Sequence, residues 1–221
     1  MDTEYSIPFH LSIRRAFLRA SIRLLLQVFS PIHITGRANI PPKGPYLIVF
    51  NHVSLYDPPL VISCWPTAPE AVGAVEIWSR PGQSLLVKGY KALPVTRGEY
   101  SRELLMTMVA ALKSGRPLAI APEGSRSHKP GMQRAHPGAV YVADKAGVPV
   151  LPVGVVGTTD DYLDRARRWE RPVLEMRIGE PITLPPVPVG AARKQVLQAN
   201  TGLIMQQIAR LLPPEYRGVY G

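Results

Sequence analysis

The run Tyr46-Leu47-Ile48-Val49-Phe50 passes without a spacer into Asn51-His52-Val53-Ser54-Leu55-Tyr56-Asp57-Pro58. An unbroken apolar run, rather than an alternation, describes a strand covered on both faces. That is the situation of a mostly parallel sheet lying between layers of helices. Asp followed by Pro suits the opening of a helix, with Asp as N-cap and Pro at the first helical position. The stretch therefore reads as a strand, a turn and a helix start. In open α/β sheets ligands sit at the carboxyl ends of the strands. A His followed five residues on by an acid across such a turn could be a base with its orienting carboxylate.

The rest of the chain repeats the alternation. Strands are expected at 32–35, 71–75, 93–95, 117–121, 148–156 and 173–178. Helices are expected at 59–64, 100–114, 137–146 and 191–212, and a helix or loop at 83–88. Residues 160–171 alternate acids and arginines, the usual mark of a solvated segment. With 221 residues the expectation is a single α/β domain: a mostly parallel central sheet flanked by helices. The one cysteine, Cys64, excludes an internal disulfide framework and a cysteine-based zinc cluster.

Residues 8–29 have a helical period with two apolar stripes. Phe9, Ile13, Phe17, Ala20, Leu24 and Val28 form one; Leu11, Leu18, Ile22, Leu25 and Phe29 form the other. Arg15, Arg19 and Arg23 stand one turn apart between them. Between Tyr5 and Tyr56 there is no acid, against six Lys and Arg. A helix packed on a core needs only one apolar stripe. The expectation is an amphipathic helix lying in a membrane surface with its arginines at headgroup level; a helix wedged between layers or in a dimer interface is the alternative. The chain divides accordingly into a membrane-contact helix, 1–30, and a catalytic domain, 31–221. No apolar run approaches the ~20 residues of a membrane span, and the N-terminus, with Asp2 and Glu4, does not look like a signal peptide.

Three apolar strands end in polar residues: at Asn51 to Asp57, at Thr96-Arg97, and at Pro122-Glu123-Gly124-Ser125-Arg126-Ser127. If the strands are neighbours, the ends converge. They supply an imidazole, a carboxylate, two guanidiniums and small residues with exposed backbone N–H groups, the parts for activating a hydroxyl on a phosphate-bearing substrate. Alone, Asp57 before Pro58 reads as a cap and His52 as structural; together with the other ends, catalysis is favoured. Glu123 reads about as well as a buried carboxylate neutralised by Arg126. The net charge of +10 leaves nucleic acid, anionic lipid and phosphorylated substrates as partners. Aromatics at 7% and the lack of a concentrated basic stretch count against nucleic acid. A metal-dependent phosphohydrolase built on His52, Asp57 and Glu123 would have a sparse ligand set.

In this order and spacing the chain resembles the glycerophospholipid acyltransferases typified by 1-acyl-glycerol-3-phosphate acyltransferase. Asn51-His52 to Asp57 matches the family's first block, with Ser54 inside it. Leu93-Pro94-Val95-Thr96-Arg97 matches the second, and Pro122 to Ser127 the third, with Ser125 where Thr is usual. Val148-Pro149-Val150-Leu151-Pro152-Val153-Gly154 matches the fourth. The resemblance covers about residues 32–180.

The resemblance implies an acyl transfer in which His52 takes the proton of an acceptor hydroxyl and Asp57 holds its imidazole. Asn51, Arg97, Glu123, Gly124, Ser125 and Arg126 would form the acceptor site, with Arg97 and Arg126 on the phosphate. Val150, Leu151 and Val153 would border the acyl chain. Many relatives carry a Lys just before the Glu aligned with Glu76, where Val75 stands here. Lys91, at a position commonly Gly, is expected to restore that charge. The donor would be an acyl-CoA or acyl carrier protein thioester, the acceptor a lysophosphatidic acid, with no metal or cofactor. The implied location is peripheral or monotopic on the cytoplasmic face of the cell membrane. Glycerol phosphate, another lysophospholipid or a glycolipid remain alternative acceptors.

Overall fold

The structure is a computed structural model that describes residues 5–96 and 101–221. In chain order its helices are α1 (Phe9–Phe29), α2 (Asp57–Cys64), α3 (Gln83–Tyr90), α4 (Arg102–Lys113), α5 (Gly138–Ala146), α6 (Tyr162–Arg167) and α7 (Arg193–Leu211). The strands are β1 (Ile32–Thr35), β2 (Leu47–Phe50), β3 (Glu70–Ala74), β4 (Leu93–Val95), β5 (Leu118–Ile120), β6 (Val150–Val156) and β7 (Leu174–Ile178). They form one sheet in the order β1-β7-β6-β2-β5-β3-β4. All neighbours are parallel except β6 and β7. The fold is thus the α/β architecture expected, with β2 at the middle of the sheet.

Side chains alternate across each strand, and β2 shows the consequence. Leu47 and Val49 face a core completed by α4, α5 and α7, whereas Ile48 and Phe50 face one completed by α1, α2 and α6. Both faces are covered, which is why β2 carries no polar residue until its end. β2, β5 and β3 run parallel in adjacent positions, so their carboxyl ends open at the same edge of the sheet.

α1 lies on α2 and α3. Its first predicted stripe is the open one: Phe9 is 80% exposed and Phe17 75%, with Ile13, Leu24 and Val28 also exposed. Of the second stripe, Leu11 is buried and Leu18, Ile22 and Phe29 are half-buried, while Leu25 is exposed and Leu26 is buried in its stead. No helix among the described residues is long and apolar enough to cross a membrane.

The arginines depart from expectation. Arg15 is 1% exposed and grips Glu70 through Nη1 at 2.6 Å and Nη2 at 2.8 Å. Its Nε donates to the Tyr90 carbonyl at 2.8 Å. Arg116 Nε and the Tyr5 hydroxyl also donate to Glu70, at 2.7 and 2.8 Å. Arg19 donates to the Ile62 and Trp65 carbonyls. Burial alone would push the Glu70 carboxyl up, but its Arg15, Arg116 and Tyr5 hydrogen bonds outweigh that and hold it below its ordinary value. Two of the three arginines expected at headgroup level therefore fasten α1 to the domain; Arg23 alone of them is exposed. A guanidinium has five donors, and a buried carboxylate at the start of β3 uses them better than water does.

Candidate active site

β2 ends at Phe50, and the chain turns through His52 and Ser54 before α2 begins. The Asp57 carboxylate is fully buried and folds back onto that turn. Its Oδ2 accepts from His52 Nδ1 and from the Ser54 backbone N–H, each at 2.8 Å. Its Oδ1 accepts from the Thr158 hydroxyl. Asp57 is thus the first residue of α2 and caps nothing in it; Tyr56 holds the cap position. Of the two placements that the sequence allows Asp57, a cap on the helix or a partner of the imidazole, the carboxylate takes the second. With a carboxylate on Nδ1, the neutral ring carries its proton there and presents Nε2 as an acceptor.

The third block is stitched to this turn. The His52 N–H donates to Glu123 Oε1 at 2.8 Å, the Ser127 N–H to the His52 carbonyl at 2.9 Å, and the His128 N–H to the Val53 carbonyl at 3.0 Å. Glu123 Oε2 accepts from the Gln133 N–H at 2.6 Å. Glu123 is buried, and burial raises its pKa to about 7 despite those two N–H groups. It is not neutralised by Arg126. The Arg126 guanidinium lies 4.0 Å from Asp160, at the edge of the site.

A cavity of about 310 Å³ opens in front of His52, within the range of small-ligand sites. Its polar end is formed by His52, Glu123, Gly124, Ser125, Arg126 and His136. The other walls are largely apolar, among them Phe50, Leu55, Ile62, Val72 and Met108. A smaller apolar chamber, about 110 Å³, shares the walls at Leu55, Pro58, Ile62, Val72 and Ile77 and runs on to Leu18 and Ile22 of α1 and Leu86 and Val87 of α3. Thus the cavity leads from an imidazole to the underside of the helix whose outer face is exposed.

Of the residues expected from sequence, His52 and Asp57 pair, and His52, Glu123, Gly124, Ser125 and Arg126 meet at one cavity. Arg97 lies outside the described residues. Four expectations need correction. Asn51 does not face the cavity: fully buried, it exchanges two hydrogen bonds with the Val155 backbone and locks β2 to β6. Lys91 ends α3 at φ 55 and points its carbonyl at Arg15; it is not a wall of the cavity, and the left-handed backbone accounts for Gly being suited there. Val150, Leu151 and Val153 are wholly buried inside β6, because the cavity opens over β5 and β3 on the opposite side of β2. The Gly124 N–H is bonded to the Ala121 carbonyl and is not on offer to a ligand.

Thr158 is absent from the sequence-derived set. The signal was there: Gly157-Thr158 ends the apolar strand β6 next to β2, the same kind of polar strand end as the others. Gly157 sits at φ +90 with its N–H on the Tyr216 hydroxyl, and an added Cβ would lie 2.0 Å from the Val173 carbonyl. That turn, which only glycine fits, sends the Thr158 hydroxyl onto Asp57.

Residues 31–156, more than half of the chain, match the family model described as Acyltransferase. The chain belongs to the acyltransferase family. The human protein named 1-acyl-sn-glycerol-3-phosphate acyltransferase alpha is 26% identical over 160 residues, 71% of this chain and 55% of that one. A Pseudomonas aeruginosa protein named lyso-ornithine lipid O-acyltransferase is 29% identical over 168 residues, 68% of this chain and 63% of its own length. The chain thus spans less than two thirds of the length of these curated relatives. The crystal structure of a Thermotoga maritima 1-acyl-sn-glycerophosphate (LPA) acyltransferase, PlsC, superposes with a TM-score of 0.64 over 90% of this chain and 78% of that one. At 23% identity that likeness establishes the shared fold.

Proposed function

We propose that this acyltransferase moves a fatty acyl group from an acyl-CoA or acyl carrier protein thioester to the free hydroxyl of a lysophosphatidic acid, giving phosphatidic acid. The observation that carries the reading is the His52 Nδ1 to Asp57 Oδ2 contact of 2.8 Å at the polar end of a cavity with apolar walls. Nε2 of His52 takes the proton as the acceptor oxygen forms its bond to the thioester carbonyl carbon. The C–S bond then breaks, and the imidazolium returns the proton to the departing thiolate. Asp57 holds the ring in the required tautomer and stabilises the imidazolium. The thioester is already activated, so positioning and one base supply the chemistry.

Arg126, together with Arg97, is the group for the acceptor phosphate, since guanidiniums bind phosphate bidentately. The acyl chain fits the apolar walls and the chamber behind them. α1, with Phe9, Ile13 and Phe17 open and Arg14 and Arg23 exposed, is the surface that meets anionic lipid. This makes the protein peripheral or monotopic, on the cytoplasmic face where acyl thioesters are supplied. Asp57 and Glu123 already spend both carboxylate oxygens on internal donors, which disfavours the phosphohydrolase reading.

The test offers the purified protein an acyl thioester with a panel of acceptors: lysophosphatidic acid, glycerol phosphate, a phosphate-free lysolipid and lyso-ornithine lipid, the last because one relative is named for it. Acylation of lysophosphatidic acid with at least tenfold loss on Arg126→Ala is expected. Equal rates on phosphate-free acceptors would contradict the phosphate assignment. In flotation with anionic vesicles, Phe9→Ser/Phe17→Ser should weaken binding more than tenfold, since each buried Phe contributes about 1.5–3 kcal/mol. Unchanged flotation would contradict the role of α1.

A further inference from the structure

α6 closes in an arrangement that favours glycine. The Trp169 N–H returns to the Ala166 carbonyl at 3.0 Å and the Glu170 N–H to the Arg165 carbonyl at 3.1 Å. Trp169, at φ 59, is therefore the left-handed residue just past the helix, the place where Gly is usual. Arg171, two residues on, is left-handed as well, at φ 49. A bulky side chain in that region strains the backbone. Burial does not offset the strain, because the indole is 63% exposed. Folding would be better served by glycine here, so a strained and uncovered tryptophan points to a use outside folding.

The indole lies against Phe29, the last residue of α1, with ring centroids 5.5 Å apart. Leu25, one turn earlier, and Val28 are exposed. The apolar surface of α1 thus runs past the end of that helix and onto the turn after α6. Residues 164–171 carry four arginines and two acids. Arg167 pairs with Asp164 at 3.6 Å, and Arg165 and Arg168 pair with Glu170 at 3.0 and 2.7 Å. Arg171 is exposed and forms no ion pair among the described residues. Surface pairs of this kind are weak, so the guanidiniums can exchange them for lipid phosphates.

We propose that Trp169 is a second membrane anchor, set in the headgroup boundary of an anionic bilayer beside the end of α1. Indole has an apolar body and a single N–H donor, and it belongs at the boundary between hydrocarbon and water. Arg167, Arg168 and Arg171 around it gain from an anionic leaflet. This inference rests on the reading of α1 as the membrane contact and carries that surface beyond the helix.

The test follows the full chain on vesicles of phosphatidylcholine and phosphatidylglycerol, by flotation and by tryptophan emission. Trp169→Gly is expected to weaken flotation about tenfold. Its urea midpoint should stay at or above that of wild type, because glycine relieves the left-handed strain. Trp65 is buried and Trp78 half-buried. A blue shift on adding vesicles, and quenching by brominated lipid, should therefore appear in wild type and vanish in Trp169→Gly. The proposal is overturned if Trp169→Gly floats like wild type, or if vesicles leave the wild-type emission unchanged. It is also overturned if a soluble acyl carrier protein, and not vesicles, shifts that emission, which would make the turn a docking site for the carrier. The two contacts fail separately. Wild-type flotation of Phe9→Ser/Phe17→Ser with Trp169 still quenched refutes the role of α1 and leaves Trp169 as the anchor; weakened flotation of that variant beside an unchanged Trp169→Gly refutes Trp169 alone.

Discussion

Replacing Arg15 by Met separates two uses of the α1 arginines. Met keeps much of the apolar stem and removes the guanidinium. The fully buried Glu70 then loses contacts at 2.6 and 2.8 Å, and the Tyr90 carbonyl loses its donor at 2.8 Å. Removing one partner of a buried ion pair costs about 3–5 kcal/mol. Arg116 and Tyr5 still serve the carboxylate, at 2.7 and 2.8 Å, which places the cost at the lower end, about 3 kcal/mol. In urea, with a slope of about 2–3 kcal/mol/M for a chain of this size, the midpoint should fall by roughly 1–1.5 M. The double variant Arg15→Met/Glu70→Gln should recover part of the loss, because it leaves no uncompensated charge, and the cycle isolates the coupling. Arg23→Met, on the exposed side, should move the midpoint little. The reasoning is refuted if Arg15→Met leaves the midpoint within about 0.3 M of wild type and instead weakens binding to anionic vesicles. That is the signature of an arginine at headgroup level.

Thr158→Val should lower stability by about 1–3 kcal/mol, since Asp57 Oδ1 then lies buried without its donor. It should also lower kcat of acyl transfer by about tenfold or more and distort its pH profile, with Thr158→Ser restoring both; a normal pH profile in a folded Thr158→Val would remove Thr158 from the positioning network. Glu123 titrates from about 7 in the folded chain against an ordinary value near 4.3 when unfolded. The folded state therefore holds a proton that the unfolded state has lost across pH 5–7. Stability falls as pH rises through that window and levels off above it, by up to about 3 kcal/mol in total. Glu123→Gln should flatten the slope whatever its constant offset, as measured by urea midpoints from pH 5 to 8. An equal slope in both proteins would show that another group is responsible.

The parallel-sheet architecture was legible because buried strands must be apolar without interruption: 47–50 and 150–156 could hardly be anything else. The helix at Arg102–Lys113 was legible from its period and its Gly stop. The His52–Asp57 pair was legible because both residues fall within one turn. What spacing does not encode is which neighbour of β2 opens into a cavity. Val150, Leu151 and Val153 read as acyl-chain walls, yet β6 is sealed by β7, and the space lies over β5 and β3. Nor does it encode partnerships across 55 or 46 residues, such as Glu70 with Arg15 and Arg116. Arg15 looked like a surface cation because its sequence neighbours carry no acid. Asn51 was a site residue only by the family resemblance; in the structure its side chain turns to the Val155 backbone while that of His52 meets the cavity.

Acyl transfer from a thioester to lysophosphatidic acid by purified His52→Ala bears most directly on the central claim, with urea midpoint and vesicle binding verified against wild type. A general base in place contributes about 10²–10⁴-fold. The account predicts that kcat falls by that factor while the folded state and the affinity for lipid are retained. A His52→Ala protein that transfers acyl groups at the wild-type rate would contradict it.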